Sequence, residues 1–265
     1  PWSLLLYAAI VRKCRSRRTV PGDLICLGAA LASFIVFSLS RFQLPHYLNI
    51  LFPFFSILTA AYLYGGVRRR WAQKTIRVMQ DTIAVLLPIL LLALSWFYRF
   101  DHLPSLMGTI LLVAILPFIL FRGASLSIPF ARSFWMALLV FSFVNFVLYP
   151  AILQYQAGTV AGRYTATRPE PVSRPVYLLR EAPVDYSFEF DCPHPVERIP
   201  IDSLADDALV FAPAAFADTL ARHGYQASFV RTFPNFHVSQ LTGKFINRDT
   251  RAGVLTPWSL MRVRR

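Results

Sequence analysis

The sequence predicts a mainly α protein, a multi-pass transmembrane helical bundle followed by a small exported α/β domain. Three observations predict it. Apolar residues gather in blocks of membrane-crossing length: 55% of the 265 residues are hydrophobic and only 15% are charged. The basic residues collect in alternate linkers between those blocks. After Pro150 the long blocks stop, and short runs with turn residues between them take over.

Pro1 to Val11 reads as the end of one span. Five full spans follow, over Leu24 to Ser40, Tyr47 to Tyr64, Thr82 to Phe97, Ser105 to Phe121 and Ser133 to Pro150. Each lies near the ~17 to 25 residues that a helix needs to cross hydrocarbon. A single block of this length could be a buried core helix, but five in series with basic linkers exclude a soluble core. Pro53, Pro88 and Pro117 read as internal prolines, which bundles tolerate because neighbouring groups satisfy the freed carbonyls. With no initiator Met and no signal-peptide pattern at the front, the sequence reads as the C-terminal part of something longer.

The net charge is +13, yet its distribution excludes a nucleic-acid reading. Arg12, Lys13, Arg15, Arg17 and Arg18 fill the first linker. Arg68, Arg69, Arg70, Lys74 and Arg77 fill another, and Arg122 and Arg132 bound a third. The alternate linkers hold only Arg41 and Arg99. This asymmetry places the basic linkers in the cytoplasm and the Arg41 and Arg99 loops outside, with the tail exported. The tail, Ala151 to Arg265, carries 13 basic and 11 acidic residues, too balanced to form a polyanion-binding face.

Within the tail, Ala151 to Pro175 reads as a polar connector and the rest as a folded domain of residues 175–265. Strands are predicted over Val176 to Arg180, Ser187 to Asp191, Ala208 to Phe211 and Gln226 to Thr232, and a helix over Pro213 to His223. Strand, helix, strand from Ala208 to Thr232 makes a βαβ-like unit. Val254 to Val263 adds a last strand that Pro257 demotes to an edge.

Few residues carry recognisable chemistry. There is no glycine-rich phosphate loop, no His-Glu-x-x-His and no Gly-x-Ser-x-Gly. Cys192 and His194 in Cys-Pro-His-Pro lack the further ligands that zinc requires. Asp206-Asp207 reads as a solvated turn. Asp101-His102, in the second outer loop, is a helix-end pair that also stands within reach of the first outer loop.

That first loop is the strongest candidate site. Arg41-Phe42-Gln43-Leu44-Pro45-His46-Tyr47 places a cation, an amide, an imidazole and a phenol between two spans, and such groups must lie at a membrane surface or line a wet cavity. The same residues also suit an interfacial anchor, since Tyr and Arg at a helix end commonly snorkel.

Ser-Leu-Ser-Arg-Phe-Gln-Leu-Pro-His-Tyr-Leu-Asn-Ile-Leu-Phe-Pro, Ser38 to Pro53, resembles the Leu-Pro-x-Tyr loop of polyprenyl-phosphate-sugar glycosyltransferases. These form the family 39 group that includes lipid A aminoarabinose transferase and is related to the protein O-mannosyltransferases. Leu44-Pro45, Tyr47 and Pro53 carry the likeness, with Pro1-Trp2 matching a Pro-Trp two spans earlier; the family's frequent lysine is Gln43 here. The resemblance covers the membrane part. It implies an inverting transfer of a sugar from a polyprenyl-phosphate carrier to a lipid or protein acceptor at the outer face of a bacterial inner membrane. Arg41, Gln43, His46 and Tyr47 would then bind the carrier phosphate, with Asp101 and His102 contributing from the second loop. The family's catalytic acid, in its first outer loop, has no counterpart in this sequence, and its frequent divalent metal has no ligand set here. As an isolated piece the chain is expected to be inactive. The rival reading is a non-enzymatic membrane protein, either half a transporter or an anchor for an interaction domain. Spans almost free of polar residues, Asn145 excepted, weigh against transport.

Reporter fusions test the topology. Fusions within Arg12 to Arg18 and Arg68 to Arg77 are expected to report cytoplasm, and fusions after Pro150 the opposite side. A tail found in the cytoplasm inverts the whole arrangement.

Overall fold

The structure is a computed structural model that describes residues 2–15, 21–39, 49–67, 70–123, 127–167 and 176–265. It is mostly helical, with one small sheet. The chain divides into two compact units, Pro1–Pro88 with Val113–Ala137, and Ile89–Leu112 with Leu138–Arg265.

The helices are α1 (Trp2–Arg15), α2 (Pro21–Leu39), α3 (Phe52–Gly66), α4 (Arg70–Tyr98), α5 (Leu103–Leu120) and α6 (Ser127–Phe143). A π-helical turn, Val144–Leu148, carries α6 on into α7 (Tyr149–Leu153). Arg70–Tyr98, Leu103–Leu120 and Phe130–Leu153 are long and apolar enough to cross a membrane, while Leu24–Leu39 and Asn49–Gly65 are shorter apolar helices. These match the five expected blocks in place, and among the described residues three reach membrane length. Helix α4 begins well before Thr82. Its first three turns alternate basic and apolar residues, so hydropathy alone hides their helical character. Pro53 is not internal: it occupies the first turn of α3, where its missing N–H costs nothing. Pro88 and Pro117 do lie inside α4 and α5.

In the first unit α1 and α2 pack on α3, and Leu5, Val67 and Ile76 form a small core against Tyr62, Leu63, Ala72 and Phe130. Polar groups are buried here too, which the near-absence of polar residues in the predicted spans had not suggested. Ser133 hydrogen-bonds the fully buried Gln80, and beside it the half-buried Arg132 donates to Asp81 at 2.8 Å and lies over the Phe118 ring.

In the second unit the tail forms a five-stranded mixed sheet in the order β2-β1-β3-β5-β4. The strands are β1 (Val176–Leu179), β2 (Val196–Ile199), β3 (Ala208–Pro213), β4 (Gln226–Asn235) and β5 (Thr256–Arg264). β1 pairs in parallel with β2 and β3, whereas β5 runs antiparallel to both β3 and β4. The expected strand–helix–strand unit is present: β3 and β4 point the same way, joined by the helix Phe216–Arg222, with β5 inserted between them. The last strand is therefore interior and not an edge. Pro257 is accommodated because it stands opposite Pro234, so neither residue is asked for a ladder N–H.

Alternation along the strands sends side chains to two cores. Val210, Ala212, Met261 and Val263 pack beneath Leu220 on one face. Phe211, Trp258 and Leu260 pack on the other against α8 (Ala157–Ala166) and α9 (Tyr186–Asp191). Two expectations change here. The stretch predicted as connector contains α8, whose buried Ala157 and Ala161 belong to the domain core, so the folded part starts near residue 157. The stretch Ser187 to Asp191, predicted as a strand, is helix α9: the Asp185 carboxylate accepts from the Ser187 and Phe188 N–H groups and caps it. That N-cap outweighs the period-two pattern. Phe188 stacks on Phe211 at 4.3 Å while Phe190 stays exposed, as opposite faces of one short helix allow.

α8 and α9 approach closely at glycines. A Cβ on Gly158 would lie 2.3 Å from Asp185 Oδ1, and one on Gly162 2.8 Å from the Asp191 carbonyl carbon. Gly162→Ala is expected to cost about 1 to 3 kcal/mol, since the clash is with backbone and cannot be relieved by a rotamer change. Gly243→Ala, which meets nothing within 4 Å, should cost far less. Urea unfolding of residues 155–265, followed by Trp258 fluorescence, measures both.

Candidate functional site

The predicted carrier-phosphate residues Arg41, Gln43, His46 and Tyr47 lie outside the described residues. Asp101 and His102 are described, and they line a cleft of about 530 Å³ within the second unit. Its walls come from three places: the α4–α5 connection (Tyr98 to Leu106), the π-helical turn and α7 (Phe146 to Tyr155), and a segment between β4 and β5 that supplies Arg248 and Arg251.

The connection is tight. Four residues, Arg99 to His102, connect α4 to α5, and Arg99 (φ 54°) and His102 (φ 56°) both take left-handed backbone. Each costs about 1 to 2 kcal/mol for a residue with a Cβ, so the surroundings must hold them. They are held at both ends. The Arg99 N–H donates to Ser95 O at 2.9 Å, and His102 O accepts from the Leu106 N–H and the Ser105 hydroxyl to start α5. Phe100, buried between them, stacks on Tyr98 at 4.3 Å and meets Phe143 edge-on.

The π-helical turn forms the apolar wall. The Tyr149 N–H donates to Val144 O, five residues back. Pro150 has no N–H for Phe146 O and its ring would press on that carbonyl, which favours a widened turn here. Phe146 is left 80% exposed on this wall beside Val147.

Arg251 closes the cleft. It is the C-terminal residue of α12 (Arg248–Arg251), which follows α11 (Gly243–Ile246), and only 8% of it is exposed. Its guanidinium donates to Phe245 O (2.8 Å), Tyr155 Oη (3.0 Å), Tyr98 O (3.1 Å) and Ile246 O (3.2 Å). It also lies 3.9 Å over the centre of the Tyr98 ring. Tyr98 O is a terminal carbonyl of α4, so the cation meets the negative end of that helix. No carboxylate is within salt-bridge distance of Arg251 among the described residues. Tyr98 Oη donates to Ala151 O, and the Phe236 N–H to Tyr155 O, completing the attachment. Arg99 pairs with Asp249 at 3.3 Å across the rim, a largely exposed contact worth little in stability.

Asp101, His102 and Arg248 are exposed on the rim, and among the described residues no side-chain hydrogen bond engages any of the three. The cleft thus offers one carboxylate, one imidazole and one guanidinium without side-chain partners among the described residues, with Arg99 and Arg251 also lining it, above an apolar wall. It can bind an anion, accept a proton from a hydroxyl and shelter a hydrocarbon. Among the described residues no three His, Cys, Asp or Glu side chains come together. Cys192 is instead buried in the domain core, its Sγ 3.4 Å from Thr165 Oγ1, and Asp206 and Asp207 bond the Arg265 N–H and the Arg264 guanidinium.

Sequence reasoning missed Arg248 and Arg251. Asn247-Arg248-Asp249-Thr250-Arg251 matches no motif, though Asn247 caps a turn that puts two arginines three residues apart on one side. No protein-family model, curated protein or solved structure matches the chain.

Arg251→Ala is expected to destabilise the second unit by about 2 to 4 kcal/mol, because it strands several buried acceptors at once. Arg251→Lys should restore little, since an ammonium cannot reach carbonyls in a forked arrangement. Hydrogen exchange at Phe100 to His102 reads the loosening; unchanged protection in Arg251→Ala contradicts it.

Proposed function

We propose that this chain is part of a membrane glycosyltransferase that moves a sugar from a polyprenyl-phosphate carrier to a lipid or protein acceptor at a membrane surface. One observation carries the reading from the structure: membrane-length apolar helices end in a cleft with a polar, cation-rich rim and an apolar wall. A lipid-linked donor or acceptor asks for that pairing of environments. Leu90, Leu112 and Phe141, each more than 60% exposed, give the helices a surface suited to lipid and unsuited to water. The Leu-Pro-His-Tyr likeness at Leu44 to Tyr47 adds the carrier-phosphate role. In this reading the α4–α6 helices cross a bacterial inner membrane within a multi-pass bundle, and the sheet domain lies on the outer side.

The chemistry follows from charge. Transfer leaves a phosphate with growing negative charge, and Arg41, supported by Gln43, His46 and Tyr47, would stabilise it by charge-assisted hydrogen bonds. Asp101 and His102 would orient the acceptor hydroxyl. The catalytic acid belongs to another part of the full protein.

The transporter reading draws on the half-buried Asp81–Arg132 pair among apolar helices. A transport path needs such groups along the length of the helices, and Asn145 is turned back onto Phe141 O instead.

In the full-length protein, Arg41→Ala is expected to remove a contact worth about 1.5 to 3 kcal/mol, roughly ten- to over a hundredfold in turnover or carrier affinity. His46→Ala should fall between that and wild type. Arg222→Ala, a remote surface change on the sheet domain, serves as control. The assay is transfer of labelled sugar from a polyprenyl-phosphate carrier in membranes at matched protein level. Wild-type activity in Arg41→Ala reduces that loop to an interfacial anchor.

A further inference from the structure

The geometry points to the cleft as a binding site for a second amphiphile, a lipid with an anionic phosphate headgroup that carries a free hydroxyl. The proposal rests on the membrane-transferase reading and names the chemistry of its acceptor side.

Charge comes first. Arg251, a buried residue, places its guanidinium at the cleft with no carboxylate to balance it among the described residues. Carbonyl dipoles and the Tyr98, Tyr155 and Phe245 rings hold it in place. They leave its full charge uncompensated, and buried charge without a counter-ion is costly unless one arrives. Arg248 projects from the same short helix onto the rim with no side-chain partner among the described residues, and His102 lines the same space. An anion seated between Arg248 and His102 would answer both.

Asp101 limits which anion. A carboxylate on the same rim repels a densely charged ligand but accepts from a hydroxyl, so a phosphodiester with a hydroxylated head fits better than a bare dianion. The wall limits the rest. Leu106 and Thr109 on α5 face Phe146 and Val147 across the cleft, a surface without charge that continues along helices of membrane length. A head at the rim therefore has an apolar track for its chain, and left-handed backbone at Arg99 and His102 holds the rim in an otherwise unfavourable shape, as binding sites often require.

Native mass spectrometry of the purified chain in a neutral detergent tests this with three probes: phosphatidylglycerol, zwitterionic phosphatidylcholine and inorganic phosphate. Phosphatidylglycerol is expected to bind at least about tenfold tighter than phosphatidylcholine, with inorganic phosphate a poor competitor. Arg248→Ala, which leaves the buried clasp of Arg251 intact, should weaken phosphatidylglycerol roughly three- to tenfold. Val147→Trp should weaken it by filling the track. Inorganic phosphate that competes as well as the lipid, with Val147→Trp silent, overturns the amphiphile and leaves a plain anion site. Phosphatidylglycerol bound equally by all three proteins overturns the cleft. Sugar transfer by full-length protein bearing the same changes separates the two readings: lipid binding without any transfer removes the transferase and keeps the site, whereas transfer without lipid bound in the cleft removes the site alone.

Discussion

The second unit depends on one buried cation. Arg251 is tied at once to the last turn of α4, to Tyr155 beyond α7 and to its own loop, so three segments distant in sequence meet at a single guanidinium. A charge removed from water must be repaid in hydrogen bonds, and here the acceptors are main-chain carbonyls and a phenol. Because such acceptors are fixed by backbone geometry, the charge fixes the segments in turn. The left-handed residues of the α4–α5 connection, the widened turn before Pro150 and the rim of the cleft all stand within this one attachment.

The sheet domain shows a similar economy at smaller scale. Its two helices on one face are separated only by glycines, so Asp185 can cap α9 while standing against Gly158. Gln156, just before α8, donates to Ser187 on α9, so the end of the last apolar helix is coupled to the domain core within a few residues. The attachment through Arg251 and the packing of α8 are thus two independent ties between helix ends and sheet.

How far the sequence revealed this depends on which force dominates locally. Apolar blocks were legible because burial in lipid or core leaves a long, uniform signal, and α4, α5 and α6 stand where the blocks lie. Strands β1, β3, β4 and β5 were legible as short apolar runs between turn residues. Short β2 was not, since Val196 to Ile199 is half exposed and interrupted by charge. α9 was misread because a six-residue helix with Phe188 in and Phe190 out mimics a strand, and only the Asp185 cap distinguishes them. Pro257 was misread as an edge marker because its partner Pro234 lies 23 positions away, a relation that no local pattern contains. Half of the cleft was legible: Asp101 and His102 stood out as a polar pair between two apolar blocks. Arg248 and Arg251 did not, because their meaning comes from a contact across 153 residues with Tyr98.

That separation also dates the cleft. Synthesis proceeds from the N-terminus, so α4, α5 and the π-helical turn exist well before the ribosome reaches Arg248 and Arg251. Until then the Tyr98 carbonyl and the rim of the α4–α5 connection stand open, and the apolar wall has no cover from the β4–β5 segment. Strand β5 must then slip between β3 and β4 after both are made, and its arrival carries the clasp home. The cleft therefore forms only after the helices that supply most of its walls, and a copy truncated before residue 248 would hold those helices and lack the two arginines.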